Sequence, residues 1–181
     1  NYNKVLKQIH LIGFKGIIFH SYIDHIRLDK NNNMINISKK AEKLKLTIGF
    51  SSAFGSKKIY DINPLKNSLE VIKSIKSNVI LYHCGGLKIN EVMLISEMWD
   101  NILLETSFSL SYWKNSSVES DLAFVIKKIG SHRIMFGSDS PFINEDQAIK
   151  DHYIFFKKYK FTKKDIDNFL FKNANSLIHV K

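Results

Sequence analysis

The segment NVILYHCGG (Asn78–Gly86) decides how this chain folds. Its run of apolar residues has no polar alternation, which is typical of a strand that is buried on both faces of a parallel sheet. A histidine, His83, ends the run, and two glycines follow shortly after it. The segment therefore predicts a buried parallel strand that carries a chemically useful side chain at its carboxyl end.

Four other runs of the same kind are spread along the 181 residues. They are GIIFH (Gly16–His20), LTIGFS (Leu46–Ser51), ILLETS (Ile102–Ser107) and RIMFGSD (Arg133–Asp139). Longer amphipathic segments separate them. This alternation predicts an α/β fold in which five parallel strands are connected by helices.

Capping residues mark the predicted helices. Asn63 and Pro64 suit an N-cap and a first turn, and apolar residues then recur at helical spacing up to Lys76. Gly130 stands where a C-cap with positive φ is expected. The run Tyr153–Phe156 is predicted to be the buried face of a helix. Two further capped starts pair Asn144 with Gln147 and Thr162 with Asp165.

Such an alternation forms either an open doubly wound sheet or a closed barrel, and periodicity alone leaves both open. Two features favour the barrel. No glycine-rich phosphate loop follows any predicted strand, as a dinucleotide-binding sheet would need. In a (β/α)8 barrel the carboxyl ends of the strands converge on one face, where the active site is built. The predicted strands end in polar side chains: His20, Ser51, His83, Glu105–Ser107 and Asp139.

Charge gives a weaker signal. The formal net charge is +10, but Arg27 and Arg133 are the only arginines among 27 basic residues. The lysines are spread along the whole chain, whereas phosphate recognition more often uses clustered arginine. The basic residues therefore argue against nucleic acid as a partner.

The single cysteine, Cys84, excludes an internal disulfide and is compatible with the reducing cytoplasm. No apolar run reaches the roughly 18 residues of a membrane span. We expect a cytoplasmic protein that does not enter a membrane.

Five segments together resemble the amidohydrolase-related family of metal-dependent TIM-barrel hydrolases and decarboxylases. They are GFKGIIFH (Gly13–His20), NVILYHCGG (Asn78–Gly86), NILLETS (Asn101–Ser107), RIMFGSDSPF (Arg133–Phe142) and FLFKNANSLI (Phe169–Ile178). The resemblance implies that residues 1–181 form a single barrel domain holding the family's strands four to eight. Strands one to three are then absent, which agrees with the roughly 250 residues of a complete barrel.

The resemblance also implies a divalent metal, usually zinc, that activates water. Asp139 matches the family's metal ligand after strand eight, although an aspartate here could also cap a turn. His83 matches a histidine that binds the metal or acts as its acid/base partner. His20, Ser51 and Ser107 are the candidate substrate-binding residues.

Two departures from the family matter. The paired His-x-His ligands belong to strand one, which this chain lacks. Ser51 stands where the family has a histidine, and a serine hydroxyl is a poor zinc ligand. Because catalytic zinc normally needs three protein ligands, we do not expect this chain to hold zinc alone.

The leading functional hypothesis is metal-dependent hydrolysis of a C–N or ester bond, or decarboxylation, of a small carboxylated molecule. The alternative is a catalytically degenerate barrel that serves as a binding module. A related metal-dependent nuclease is a third hypothesis, which the net charge of +10 motivates. Since a sheet cut from a barrel has two unpaired edges, we also expect a homo-oligomer or a completing chain.

Overall fold

The computed structural model describes residues 1–25, 32–54, 57–58 and 60–178. Five strands alternate with helices along this part of the chain. The strands are β1 (Gly16–His20), β2 (Thr47–Ser51), β3 (Val79–Tyr82), β4 (Ile102–Glu105) and β5 (Ile134–Met135). The helices are α1 (Tyr2–Leu11), α2 (Asn32–Lys43), α3 (Pro64–Ile72), α4 (Ile89–Met98), α5 (Ser109–Tyr112), α6 (Ser117–Ile129), α7 (Glu145–Lys158), α8 (Lys163–Asp167) and α9 (Asn173–Ile178).

All four strand pairings are parallel, and the strands lie in the order of the sequence, β1-β2-β3-β4-β5. The prediction of five parallel strands with intervening helices is therefore confirmed. One continuous row of paired residues crosses the carboxyl end of the sheet: His20, Ser51, Tyr82, Glu105 and Met135. The register thus places the predicted strand-end residues of β1, β2 and β4 at one level.

One face of the sheet packs against the helices and forms the core. Its side chains are fully buried, and each large one stabilises the fold by about 2–3 kcal/mol. They include Ile48, Phe50, Val79, Leu81, Ile102, Leu104 and Ile134.

The opposite face, here called the inner face, lines an open cavity of about 500 Å³. Because side chains alternate along a strand, the inner face carries the residues between the core positions. Gly49, Ile80, Tyr82 and Glu105 line this cavity, and α9 contributes Leu177 and other apolar residues at the amino-terminal side of the sheet. A Cβ at Gly49 would lie 2.4 Å from the Tyr82 ring, so this glycine makes room for the tyrosine.

Four predicted strands are shorter than expected. β2 begins at Thr47 rather than Leu46, and β4 ends at Glu105 rather than Ser107. The strand predicted for Arg133–Asp139 is only Ile134–Met135, because the amide of Phe136 donates to Phe169 O (2.9 Å) instead of continuing the ladder. β3 ends at Tyr82, one residue before His83.

The helix boundaries follow their capping residues. The side chains of Asn63, Asn144 and Thr162 accept main-chain hydrogen bonds at the starts of α3, α7 and α8, and Gly130 ends α6 with a φ of 93°. α3 ends at Ile72 rather than reaching Lys76. Within the described ranges, no helix is long and apolar enough to cross a membrane.

The prediction for Tyr153–Phe156 is wrong in part. Phe155 and Phe156 are buried, but Tyr153 and Ile154 are each 52% exposed. Four consecutive residues are spread over about 300° around a helix, so one buried face cannot contain them all.

Candidate active site at the carboxyl ends of the strands

Three side chains form a hydrogen-bonded cluster, here called the His83 cluster: Glu105 at the end of β4, Ser107 in the turn that follows it, and His83 in the turn after β3. Nδ1 of His83 lies 3.1 Å from Oγ of Ser107 and 3.0 Å from the Ser107 carbonyl oxygen. Oγ of Ser107 in turn donates to Oε2 of Glu105 at 2.6 Å. The structure thus brings His83 and Ser107, two residues predicted for the site, into direct contact, and it adds the Glu105 carboxylate, for which the sequence predicts no role, behind Ser107.

Glu105 is the buried anchor of the cluster. Oε1 accepts a hydrogen bond from the Ser107 amide (2.9 Å), so both carboxylate oxygens bind the same serine. A Cβ at Gly137 would lie 1.3 Å from Oε1, which means that only a glycine leaves room for this carboxylate.

Burial raises the pKa of the Glu105 carboxyl, although hydrogen bonds from Ser107 and the charge of His83 oppose the rise. The neighbouring Tyr82 also has a raised pKa, first because it is partly buried and second because Glu105 is negatively charged. Carboxyl groups whose pKa is shifted by burial and by a charged neighbour are common at functional sites.

His83 leaves the sheet through a turn that other side chains hold. Its φ is 66°, and Cys84, Gly85 and Gly86 also have positive φ. Ser52 Oγ donates to the Tyr82 carbonyl (2.5 Å) and accepts from the Gly85 amide (2.8 Å), which fixes the turn from β2. The strain of such backbone angles persists only where surrounding contacts hold them.

The Cys84 thiol points into the protein and donates to Glu105 O at 3.1 Å. Burial and the charge of Glu105 raise its pKa well above the ordinary value. A thiol in this state is a poor nucleophile, because the thiolate is the reactive form. Cys84 is therefore a structural residue that joins the His83 turn to β4.

Asp139 lies in the loop after β5 and is half-buried, with a φ of 68°. Its carbonyl oxygen accepts hydrogen bonds from the amides of Phe142 (2.9 Å) and Ile143 (3.3 Å). The residue therefore also forms a turn, which is the alternative role that the sequence leaves open. Among the described residues, the Asp139 carboxylate has no hydrogen-bond or ion-pair partner. It stays a candidate metal ligand.

His20 and Ser51 lie on the same level as Glu105, at the ends of β1 and β2. Ser51 is buried, whereas His20 lies in the edge strand. Nδ1 of His20 accepts from the Ile23 amide (3.3 Å), so that nitrogen is already engaged. Neither residue takes part in the hydrogen bonds of the His83 cluster, and their roles in substrate binding stay predictions.

The sequence offered signals for the residues that were missed. Glu105 is a carboxylate inside an otherwise apolar strand, and such a residue is rarely buried without partners. Gly137 follows the neighbouring strand β5, and its main chain passes close to the Glu105 carboxylate. Ser52 adjoins the predicted Ser51, but only the structure shows that Ser52 holds the turn.

The described residues do not form a complete metal site. Across the described ranges, no group of three or more His, Cys, Asp and Glu side chains is placed to hold an ion. Asp139 and His83 alone fall short of the three ligands that catalytic zinc needs.

A model of a known family matches residues 5–179 of the chain, and its description is amidohydrolase. The chain belongs to the amidohydrolase family. No curated protein sequence matches it at a significant level.

Solved structures of TIM-barrel proteins resemble this chain over nearly its whole length. A 2,6-dihydroxybenzoate decarboxylase in complex with 2,6-dihydroxybenzoate is 17% identical, with a TM-score of 0.70, and the match covers 98% of this chain and 66% of that one. A dihydroxybenzoic acid decarboxylase from a Polaromonas species, with bound manganese and the inhibitor 2-nitroresorcinol, is 17% identical, with a TM-score of 0.69 and coverages of 98% and 64%.

A probable 2-pyrone-4,6-dicarboxylic acid hydrolase from Acinetobacter baumannii, with citric acid bound, is 16% identical, with a TM-score of 0.71 and coverages of 98% and 68%. At these identities the matches show the fold. The chain spans 66% of the length of the first of these decarboxylases. Five parallel strands that cover part of such a protein are a partial TIM barrel, as predicted.

Proposed function

We propose that this chain is the strand-four-to-eight portion of a divalent-metal-dependent hydrolase or decarboxylase that acts on a small carboxylated molecule. The observation that carries the proposal is the His83 cluster, which lies at the carboxyl ends of neighbouring strands in a member of the amidohydrolase family. Active sites of (β/α)8 barrels are built at this end of the strands.

The chemistry of the chain's own residues suits this function. Nε2 of His83 has no hydrogen-bond partner within the described segments, so it is available to exchange a proton or bind an ion. Asp139, in the loop after β5, offers a carboxylate that has no partner among the described residues. A bound divalent cation would supply the activation of water or of a substrate carboxylate. The remaining ligands would come from residues outside this chain.

The substrate class rests on the structural neighbours. Two of them are named as decarboxylases of dihydroxybenzoate, an aromatic acid, and a third is named for a dicarboxylic acid. His20 and Ser51 would contact such a substrate, since they lie level with Glu105 at the carboxyl end of the sheet.

The test combines elemental analysis with two assays. The protein is purified, its zinc and manganese are counted per chain, and it is then assayed for CO2 release from 2,6-dihydroxybenzoate and for hydrolysis of 2-pyrone-4,6-dicarboxylate. We expect His83→Gln and Asp139→Asn to abolish any activity, by at least about 100-fold for His83. His10→Gln and Asp146→Asn, which alter exposed residues on α1 and α7, serve as matched controls.

A second candidate function is a catalytically degenerate barrel that binds a ligand without transforming it. Ser51 favours it, because a buried serine stands where the family's histidine ligand is expected. Binding of the acids above, without turnover at any metal loading and without tight metal binding, would support this candidate over the first.

A further inference from the structure

The geometry points to Glu105 and Ser107 as positioning residues: they hold His83 in the tautomer that carries its proton on Nδ1 and leaves a lone pair on Nε2. The catalytic meaning of this arrangement rests on the proposed function, but the arrangement itself does not. It can be detected without any substrate or metal.

The Ser107 carbonyl decides the tautomer. It lies 3.0 Å from Nδ1 of His83, and a carbonyl oxygen can only accept a hydrogen bond. Nδ1 must therefore carry the hydrogen. A neutral imidazole has one N–H, so its lone pair must lie on Nε2.

The Ser107 hydroxyl supports the same assignment only because Glu105 orients it. Oγ lies 3.1 Å from Nδ1, and a hydroxyl at this position could either donate to the ring or accept from it. Its hydrogen is directed to Oε2 of Glu105 at 2.6 Å. Oγ therefore presents a lone pair to His83, and the Nδ1–H is shared between two acceptors of one residue.

Glu105 cannot reorient, because its other oxygen is also occupied. Oε1 accepts from the Ser107 amide at 2.9 Å, and the main chain of Gly137 closes the space beside it. The carboxylate is thus a rigid acceptor that sets the direction of each hydrogen bond up to His83. Partners of this kind, one step removed from a reacting histidine, fix its tautomer and orientation.

The replacement Glu105→Gln should reverse the direction of this relay. The Ser107 amide keeps the amide oxygen of the glutamine as its acceptor, which turns the NH2 group toward Ser107 Oγ. The hydroxyl then accepts from the glutamine and is free to donate to Nδ1. Because the Ser107 carbonyl still accepts at Nδ1, this donor hydroxyl would compete with it and move the proton to Nε2 in part of the His83 population.

The experiment is a long-range 15N–1H correlation spectrum of the histidine rings, recorded on the protein without added metal at about pH 8, where ordinary histidines are neutral. His83→Gln assigns the His83 signals among the seven histidines. We expect the wild type to show a protonated Nδ1 and a bare Nε2, and Glu105→Gln to move the ring measurably toward the opposite tautomer.

Ser109→Ala is the matched control. Ser109 also bonds to His83, but through the His83 carbonyl oxygen (2.6 Å) rather than the ring. Its loss should leave the ring signals unchanged, whereas Ser107→Ala should shift them. A wild-type ring protonated on Nε2 would overturn the inference without any variant. Unchanged ring signals in folded Glu105→Gln would remove Glu105 from the positioning role.

The same variants separate this inference from the proposed function. If the enzyme is active, Glu105→Gln should lower kcat by about 10- to 100-fold with a smaller effect on KM. If no activity is found but the ring signals behave as expected, the positioning role stands and the proposed function falls. Activity that is unaffected by Glu105→Gln would overturn the functional part of the inference.

Discussion

At the residue scale, a small volume between β4 and the loop after β5 has room for the Glu105 carboxylate only because residue 137 is a glycine. Glu105 fills the space that a side chain at position 137 would take, and Ser107 borders it as well, with its Cβ 2.9 Å from the position of a Cβ at Gly137. The absence of a side chain at Gly137 is therefore a condition for burying the carboxylate of the His83 cluster.

We expect Gly137→Ala to lower the free energy of unfolding by about 3 kcal/mol, because overpacking at a site without free space forces the backbone or the carboxylate to move. Chemical denaturation measures the change. The double variant Glu105→Ala/Gly137→Ala tests the cause. It should be less destabilised than the sum of the single variants by about 1 kcal/mol or more, since the overlapping carboxylate is gone. Strict additivity would contradict the account.

His152 is a second buried residue whose environment has a measurable consequence. Its Nδ1 donates to Ala148 O (2.7 Å), and Nε2 lies 2.8 Å from the Thr106 hydroxyl, among the rings of Phe136 and Phe169. Burial lowers the pKa of His152 to about 4. The residue is therefore neutral in the folded protein, with a structural rather than a chemical role.

Because the folded pKa of His152 is depressed, its contribution to stability is present above the unfolded value of 6.5 and is lost as pH falls toward about 4. We expect the wild type to lose about 2 kcal/mol between about pH 7 and about pH 5 through this residue. His152→Gln should be less stable at neutral pH but should lack this part of the pH dependence. Urea unfolding at both pH values measures the free energy of unfolding. The same loss of stability from about pH 7 to about pH 5 in both proteins would contradict the assignment.

At the element scale, α9 is tied to the last strand by one side chain. Nδ2 of Asn173 donates to the carbonyl oxygens of Ser131 (2.7 Å) and Ile134 (2.6 Å). This pair of hydrogen bonds explains what the asparagine in the terminal NANSLI segment does. It fixes the start of α9 beside β5, so that Ala174, Leu177 and Ile178 can line the inner cavity.

We expect Asn173→Ala to destabilise the protein by about 2 kcal/mol, since it removes two hydrogen bonds worth about 1 kcal/mol each. Asn175→Ala is the matched control. Asn175 lies on the same helix with similar exposure, and its side chain makes no hydrogen bond in the part of the chain that the structure describes. Thermal unfolding compares the two. Equal losses would mean that helix propensity, rather than anchoring, sets the effect.

The elements also show what the sequence could predict. Apolar runs and capping residues located all five strands and the starts of α3, α7 and α8, because both signals are local. The length of β5 could not be read in this way, since the amide of Phe136 turns to Phe169 O, a partner distant in sequence. His83 and Ser107 were predicted from strand ends, but the role of Glu105 depends on three-dimensional contacts with both.

At the scale of the whole molecule, the sheet has one covered edge and one open edge. Beyond β5, the amide of Phe136 donates a hydrogen bond to the carbonyl oxygen of Phe169. By contrast, β1 pairs only with β2 among the described strands. Apolar side chains surround the open edge: Ile18, Phe14, Leu11 and Ile12 are between 55% and 82% exposed. An exposed strand edge next to apolar surface favours pairing with another chain.

We expect the 181-residue chain to self-associate in a concentration-dependent manner through β1, because Ile18 lies on this edge strand. Ile18→Lys should shift the distribution toward monomer, since a charge on an edge strand opposes pairing. Leu94→Lys is the matched control, because Leu94 on α4 has the same exposed fraction of 55% but lies away from the edge. Sedimentation velocity at several concentrations measures the effect. If both lysine variants shift the distribution equally, net charge rather than the β1 edge governs association. If the wild type stays monomeric at every concentration, the open edge does not drive assembly.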